Sequence, residues 1–299
     1  MSNNTFIKSS NCAIFADFLN EDSAPNTGNG FFAATNISFS LDSSLEPNRV
    51  FGSSRISNDF NHSQAQIGKL ALDFYPLIGG NSATNTANQM AVATGLTGDF
   101  TSGHRIQFGN LDLRQCYMSS LDIKISPQQP IIFSANFDIY DVSRATGISF
   151  TGANISNLLT TNGSGAYLES LHALALGVSG SGVSLPQSKN EIDISIQCSR
   201  TPVYGLGSVS PSTVILESVN RQTSIRGEGV GQIVGFSGNN ANLALRFSPF
   251  SSFVEDNSYD KMNDYLFAVD VTGRVSSQNL SVGPDDVVQG SLVIQENVY

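Results

Sequence analysis

The chain repeats itself. Ile37-Ser38-Phe39-Ser40-Leu41 matches Ile192-Asp193-Ile194-Ser195-Ile196, 155 positions on, and the match runs without a gap to Ser53 over Ser208. Six of these 17 pairs are identical (Ile37, Ser40, Ser44, Pro47, Gly52 and Ser53), where chance gives about one or two in so Ser-rich a window. A second block lays Met118-Ser119-Ser120 over Val275-Ser276-Ser277, 157 positions on. It carries Ile123, Ile125, Pro127, Ile131, Ala135 and Phe137 onto Leu280, Val282, Pro284, Val288, Leu292 and Ile294. Between the blocks, Gln64 and Ile67 match Gln222 and Ile225 at an offset of 158. Three blocks in one order at nearly constant spacing are what a tandem duplication leaves behind.

The repeated blocks have the period of strands. Ile37, Phe39 and Leu41 alternate with Ser, and Ile192, Ile194, Ile196 and Cys198 alternate with Asp, Ser and Gln, so each run has one apolar and one polar face. Each run ends in a Pro, a loop and Gly-Ser: Pro stops ladder pairing and Gly permits the positive φ of a turn. The second block predicts a hairpin in each half. Leu121 to Ile125 turns at Ser126-Pro127-Gln128-Gln129 into Ile131 to Phe137, and Asn279 to Val282 turns at Gly283-Pro284-Asp285-Asp286 into Val287 to Ile294. Middle strands are expected at 67–74 and 223–230.

The expected fold is therefore all-β, with two tandem β-sandwich or barrel domains of the same fold and one short helix per domain. Helical spacing is confined to 85–94, to 166–176 through Leu168, Leu171, Leu174 and Ala175, and to 260–267. At 299 residues the chain accommodates two domains of about 150. Residues 1–30 are read as an N-terminal arm, 31–160 as the first β domain, 161–186 as a Gly/Ser-rich linker with the helical segment, and 187–299 as the second β domain.

Only 13% of residues are charged, against the usual ~25%, which leaves a weakly polar surface suited to burial against neighbours. The formal charge of −10 and the absence of Lys/Arg runs argue against a surface that grips phosphates. That charge suits a surface past which nucleic acid moves without sticking. Cys12, Cys116 and Cys198 are odd in number and form no CxxC, so neither a disulfide framework nor a zinc site is expected. Cys116 and Cys198 lie in alternating apolar runs and are read as small core residues. The first residues lack the pattern of a signal peptide, so a chain kept in the cytoplasm is expected.

Chemical motifs fail one after another. His62, His104 and His172 are dispersed and carry no metal-ligand spacing. Gly235-Phe236-Ser237-Gly238-Asn239 is not a nucleophile elbow. The Gly-rich runs at 205–207 and 227–231 open no helix and are read as bends beside strands. Asp285-Asp286 is hairpin-tip chemistry, and 254–260 lacks the Gly and terminal Glu of a calcium loop. No catalytic, cofactor or metal residue is singled out, and no enzyme is expected.

The order of these elements resembles the tail-tube proteins of bacteriophages. Arg200-Thr201-Pro202-Val203-Tyr204-Gly205-Leu206-Gly207-Ser208, between two strands, resembles the family's first hairpin. The hairpins at 118–137 and 275–294 resemble its closing strand pair. The resemblance covers about half the chain and rests on order and duplication rather than on a signature residue. It implies a small sandwich or barrel with a flanking helix, assembled into stacked six-fold rings around a DNA channel whose lumen is lined by sheets. With two units per chain, three chains would close such a ring as a pseudo-hexamer. The implied place is the virion tail, with other tail proteins as partners and DNA passing through unbound. Pro47, Phe51, Gly52 and Ser53, with Pro202, Tyr204, Gly207 and Ser208, are the subunit-interface candidates. The rival readings are another virion part (tail hub, neck or capsid surface) and a carbohydrate-binding β-sandwich. The latter usually presents exposed aromatics in a groove, and this chain has no Trp.

Overall fold

The structure, a computed structural model, describes residues 14–17, 31–42, 45–47, 60–62, 67–75, 77–78, 103–108, 111–126, 129, 131–142, 169–172, 188–208, 210–228, 240–249, 267–282 and 288–297. The first half holds β1 (Ile14–Asp17), β2 (Phe31–Asp42), β3 (Leu45–Pro47), β4 (Phe60–His62), β5 (Ile67–Tyr75), β6 (Leu77–Ile78), β7 (His104–Phe108), β8 (Leu111–Ile125) and β9 (Ile132–Val142). After it come β10 (Glu169–His172), β11 (Ser188–Val203), β12 (Thr213–Glu228), β13 (Asn240–Pro249), β14 (Phe267–Ser281) and β15 (Gln289–Asn297). The described residues are all β, and no helix occurs among them.

Thirteen strands form one antiparallel sheet, and β3 and β4 pair separately. In the first half the pairing runs β1-β2-β5-β9-β8-β7 and returns to β1, a closed ring of six strands. In the second half it runs β11-β12-β15-β14-β13, then on to β10 and β6. The halves join where Ile192–Gln197 of β11 pair with Ser120–Ile125 of β8, and are linked again where β6 of the first half pairs with β10, which pairs with β13. They share one continuous sheet and one buried cluster, rather than two separately closed sandwiches.

The pairing order β2-β5-β9-β8-β7 recurs as β11-β12-β15-β14-β13. Irregularities recur at the same places. β2 slips between Ala34 and Asn36, and β11 slips 155 positions on, between Lys189 and Glu191. β8 slips between Met118 and Ser120, and β14 slips 157 positions on, between Val275 and Ser277. At the second slip the extra residue is a Ser in both halves. The Ser119 Oγ donates to the Asn136 carbonyl at 3.2 Å, and the Ser276 Oγ to the Val293 carbonyl at 3.3 Å. A bulge leaves backbone groups off the ladder, and a short hydroxyl side chain bridges the gap.

Register corrects the middle match. Ile37 faces Leu72, whereas Ile192 faces Ile225. The counterpart of Ile225 is therefore Leu72, not Ile67. An odd slip turns a strand over, and Ile67 lies on the less buried side of β5 whereas Leu72 and Ile225 are in the core.

Alternation places the core on one side of the sheet. Leu70, Leu72 and Phe74 of β5, Leu121, Ile123 and Ile125 of β8, and Phe133, Ala135 and Phe137 of β9 are buried. Ile192, Ile194 and Ile196 of β11 continue the same cluster into the second half. Each large aliphatic or aromatic side chain so buried contributes about 1.5–3 kcal/mol. Phe74 and Phe133 meet at tilted rings 5.5 Å apart. Cys116 is buried and Cys198 half-buried. In the first turn of the second block, the Gln129 N–H donates to the Ser126 carbonyl at 3.3 Å.

One helical expectation is corrected. Glu169–His172, within the expected helix at 166–176, form β10, paired with β13 and β6. Strand edges offering unpaired backbone groups override a weak local period. Of the other two helical segments, 85–94 and 260–266 lie outside the described residues, and Phe267 begins β14.

Candidate functional site

β11 and β12 outrun the sheet that holds them. β8 pairs with β11 only over Ile192–Gln197, and β15 pairs with β12 only over Asn220–Glu228. Beyond these points Cys198–Val203 and Thr213–Val219 are paired only with each other among the described residues, as a two-stranded arm. Side-chain burial records the change. Val219, Arg221, Thr223 and Ile225 are buried on alternate positions, whereas none of Thr213 to Ser218 is.

The tip of the arm is built to hold its shape. The Ser212 N–H and Oγ both donate to the Val203 carbonyl, at 2.8 and 3.0 Å. The Ser208 N–H donates to the Gly205 carbonyl at 3.1 Å, closing a turn. Gly207 has φ +79°, which L side chains rarely adopt, and the Ser208 Oγ donates to the Ser210 carbonyl at 2.6 Å. This ordered turn displays apolar side chains. Leu206 is fully exposed (109%), and Val203, Tyr204 and Ile215 are exposed beside it.

The root of the arm is pinned to the sheet. The Arg200 guanidinium donates to the Met118 carbonyl, at the β8 bulge, and lies 5.5 Å from the centre of the Tyr117 ring. On the arm itself, Glu217 accepts from the Thr201 Oγ1 at 2.5 Å and the Ser199 Oγ at 3.1 Å. These hydroxyl donors hold its carboxyl below the usual range. Behind the root, burial and the nearby Asp138 charge push the Tyr140 hydroxyl up to about 12.

Of the interface candidates, Pro202, Tyr204, Gly207 and Ser208 come together on this arm. Pro202 faces Val214 where β11 has a partner on one side only among the described residues, the position in a sheet that tolerates a missing N–H. Pro47 ends β3 opposite Phe60, as Pro202 nearly ends β11. Phe51, Gly52 and Ser53 lie outside the described residues. Leu206 and the anchor Arg200 were missed as site residues. A Leu between two glycines in a turn is a readable signal for the first, but Arg200 acts through a bulge carbonyl 82 positions away.

The polar side of the sheet carries both signs of charge. Arg226 pairs with Glu191 at 2.9 Å, and burial, with Glu191 adding, raises the carboxyl of Asp193. Among the described residues no three His, Cys, Asp or Glu side chains group as a metal site. No protein-family model matches the chain, and no curated protein compared with it is similar.

Proposed function

We propose that this chain is a structural subunit that assembles with copies of itself into rings that stack as a tube, as the tail-tube subunits of bacteriophages do. In this reading each chain is a fused pair of equivalent β units, and three chains make a ring of six units. The recurring pairing order, with bulges 155 and 157 positions apart, supports descent of the halves from one duplicated unit. The observation that carries the assembly role is the projecting arm: ordered, pinned at its root and ending in a fully exposed Leu206. An apolar side chain fixed on an ordered tip is favoured when a neighbour buries it. The charge of −10 suits a tube through which DNA passes without being held.

Negative-stain images and sedimentation of the purified chain test the proposal. Wild-type protein is expected as rings and stacked rings. Leu206→Asp is expected to keep its melting temperature, because the side chain is already in water, but to lose the longer assemblies. Monomers at every concentration, or assemblies indifferent to Leu206→Asp, would contradict the assigned role of the arm.

A further inference from the structure

The seam that joins the two halves inside one chain exists a second time with its two sides apart. In the internal seam, Ser120–Ile125 of β8 pair with Ile192–Gln197 of β11. Moved 157 positions on, the β8 side falls on 277–282, the end of β14. Moved 155 positions back, the β11 side falls on 37–42, the end of β2. Both segments are open among the described residues. β13 pairs with β14 only as far as Arg274, on the side away from β15. β1 pairs with β2 only at Phe31 and Phe32, on the side away from β5.

Exposure separates the made seam from the open one. In the made seam Ile123, Ile125 and Ile196 are 1%, 2% and 0% exposed. Their counterparts Leu280, Val282 and Leu41 are 56%, 68% and 43% exposed. These three are among the most exposed large apolar side chains outside the arm. The open backbone edges carry the same need for a partner, since unpaired N–H and C=O groups along a strand invite another strand.

We infer that β14 of one chain pairs antiparallel with β2 of a second copy, in the register of the internal seam. Leu41 then stands opposite Gln278, Phe39 opposite Leu280, and Ile37 opposite Val282. On the polar side Ser38 meets Ser281 and Ser40 meets Asn279, so no like charges face each other. This rests on the reading of two equivalent units and names the partner surface that reading requires. The contact is head-to-tail, and repetition of one rotation at every seam, within and between chains, closes a ring where that rotation divides a full turn.

Cysteine pairing tests the register. Cβ atoms of directly opposed residues lie about 4.5–5.5 Å apart, near enough for a disulfide after a small adjustment. With the native Cys12, Cys116 and Cys198 replaced by Ala, Leu41→Cys and Gln278→Cys chains, purified separately, mixed and mildly oxidised, are expected to give a band of twice the chain mass on a non-reducing gel. Neither variant alone is expected to give it. The Leu41→Cys/Gln278→Cys double variant is expected to give a ladder of multiples, and Leu41→Cys/Ser281→Cys no ladder. Assemblies that sediment as in the wild type but show no such bands would overturn the seam and leave the ring reading standing. A double variant that consumes the two introduced thiols yet runs as a monomer would overturn the seam by closing it within one chain. Variants and wild type that sediment only as monomers would overturn both.

Discussion

Asp138 lies on the polar side of β9, opposite Lys69 of β5 and Tyr117 of β8. Burial raises its carboxyl above the usual range, and the opposing pull of Lys69 and Arg200 does not cancel that. A carboxyl that binds its proton more tightly when folded costs stability above its folded pKa, and the cost fades as the pH falls through that pKa. Asp138→Asn is therefore expected to raise the melting temperature at pH 7, with the gain shrinking towards zero near pH 4. Melting curves across that range check the sign, and a loss of stability at pH 7 would contradict it. At this scale the sequence was informative for side chains whose neighbours lie on the same strand. The alternating Ile of β11 and the Gly-flanked turn at Leu206 could be read directly. The Ser119 and Ser276 bulges could not, because an extra residue in a strand looks like a lapse in alternation. Nothing local marks the hydroxyl that bridges it.

Among the elements, β14 meets β15 at Gly273 with no room for a side chain. A Cβ there would lie 2.5 Å from the Gln295 carbonyl oxygen and 2.9 Å from the Ile294 Cγ2. Backbone cannot move aside as a flexible side chain does, so Gly273→Ala is expected to cost about 1–3 kcal/mol or more. A lower urea midpoint with an unchanged slope would show it; an unchanged midpoint would contradict the packing described. Strand existence was legible from the period of two, and the strands of the second block were anticipated on both sides of their turns. Strand length was less legible. β12 begins at Thr213, ten positions before the expected Thr223, because Thr213 to Ser218 belong to an arm in which no residue is fully buried. The middle match failed for a related reason. Apolar residues at alternate positions let two strands be aligned at several offsets, and only cross-strand register, Ile37 with Leu72 and Ile192 with Ile225, chooses among them. At 166–176 the spacing of Leu suggested a helix, but pairing with β6 and β13 decided the outcome for Glu169–His172.

For the whole molecule, the all-β class was legible in the sequence, but the way the halves meet was not. Two sandwiches in tandem and one continuous sheet bury much the same alternating residues. The choice turns on whether the β8 edge is left open or taken up by β11, a matter of long-range register. In the proposed assembly that seam is repeated between chains, because the matching edges at the ends of β14 and β2 are open among the described residues. The native mass of the purified protein tests the proposed ring most directly. Three chains of 31.8 kDa each, six β units in all, are the expected content. Rings of six chains, or a protein that remains a monomer at every concentration, would contradict the account.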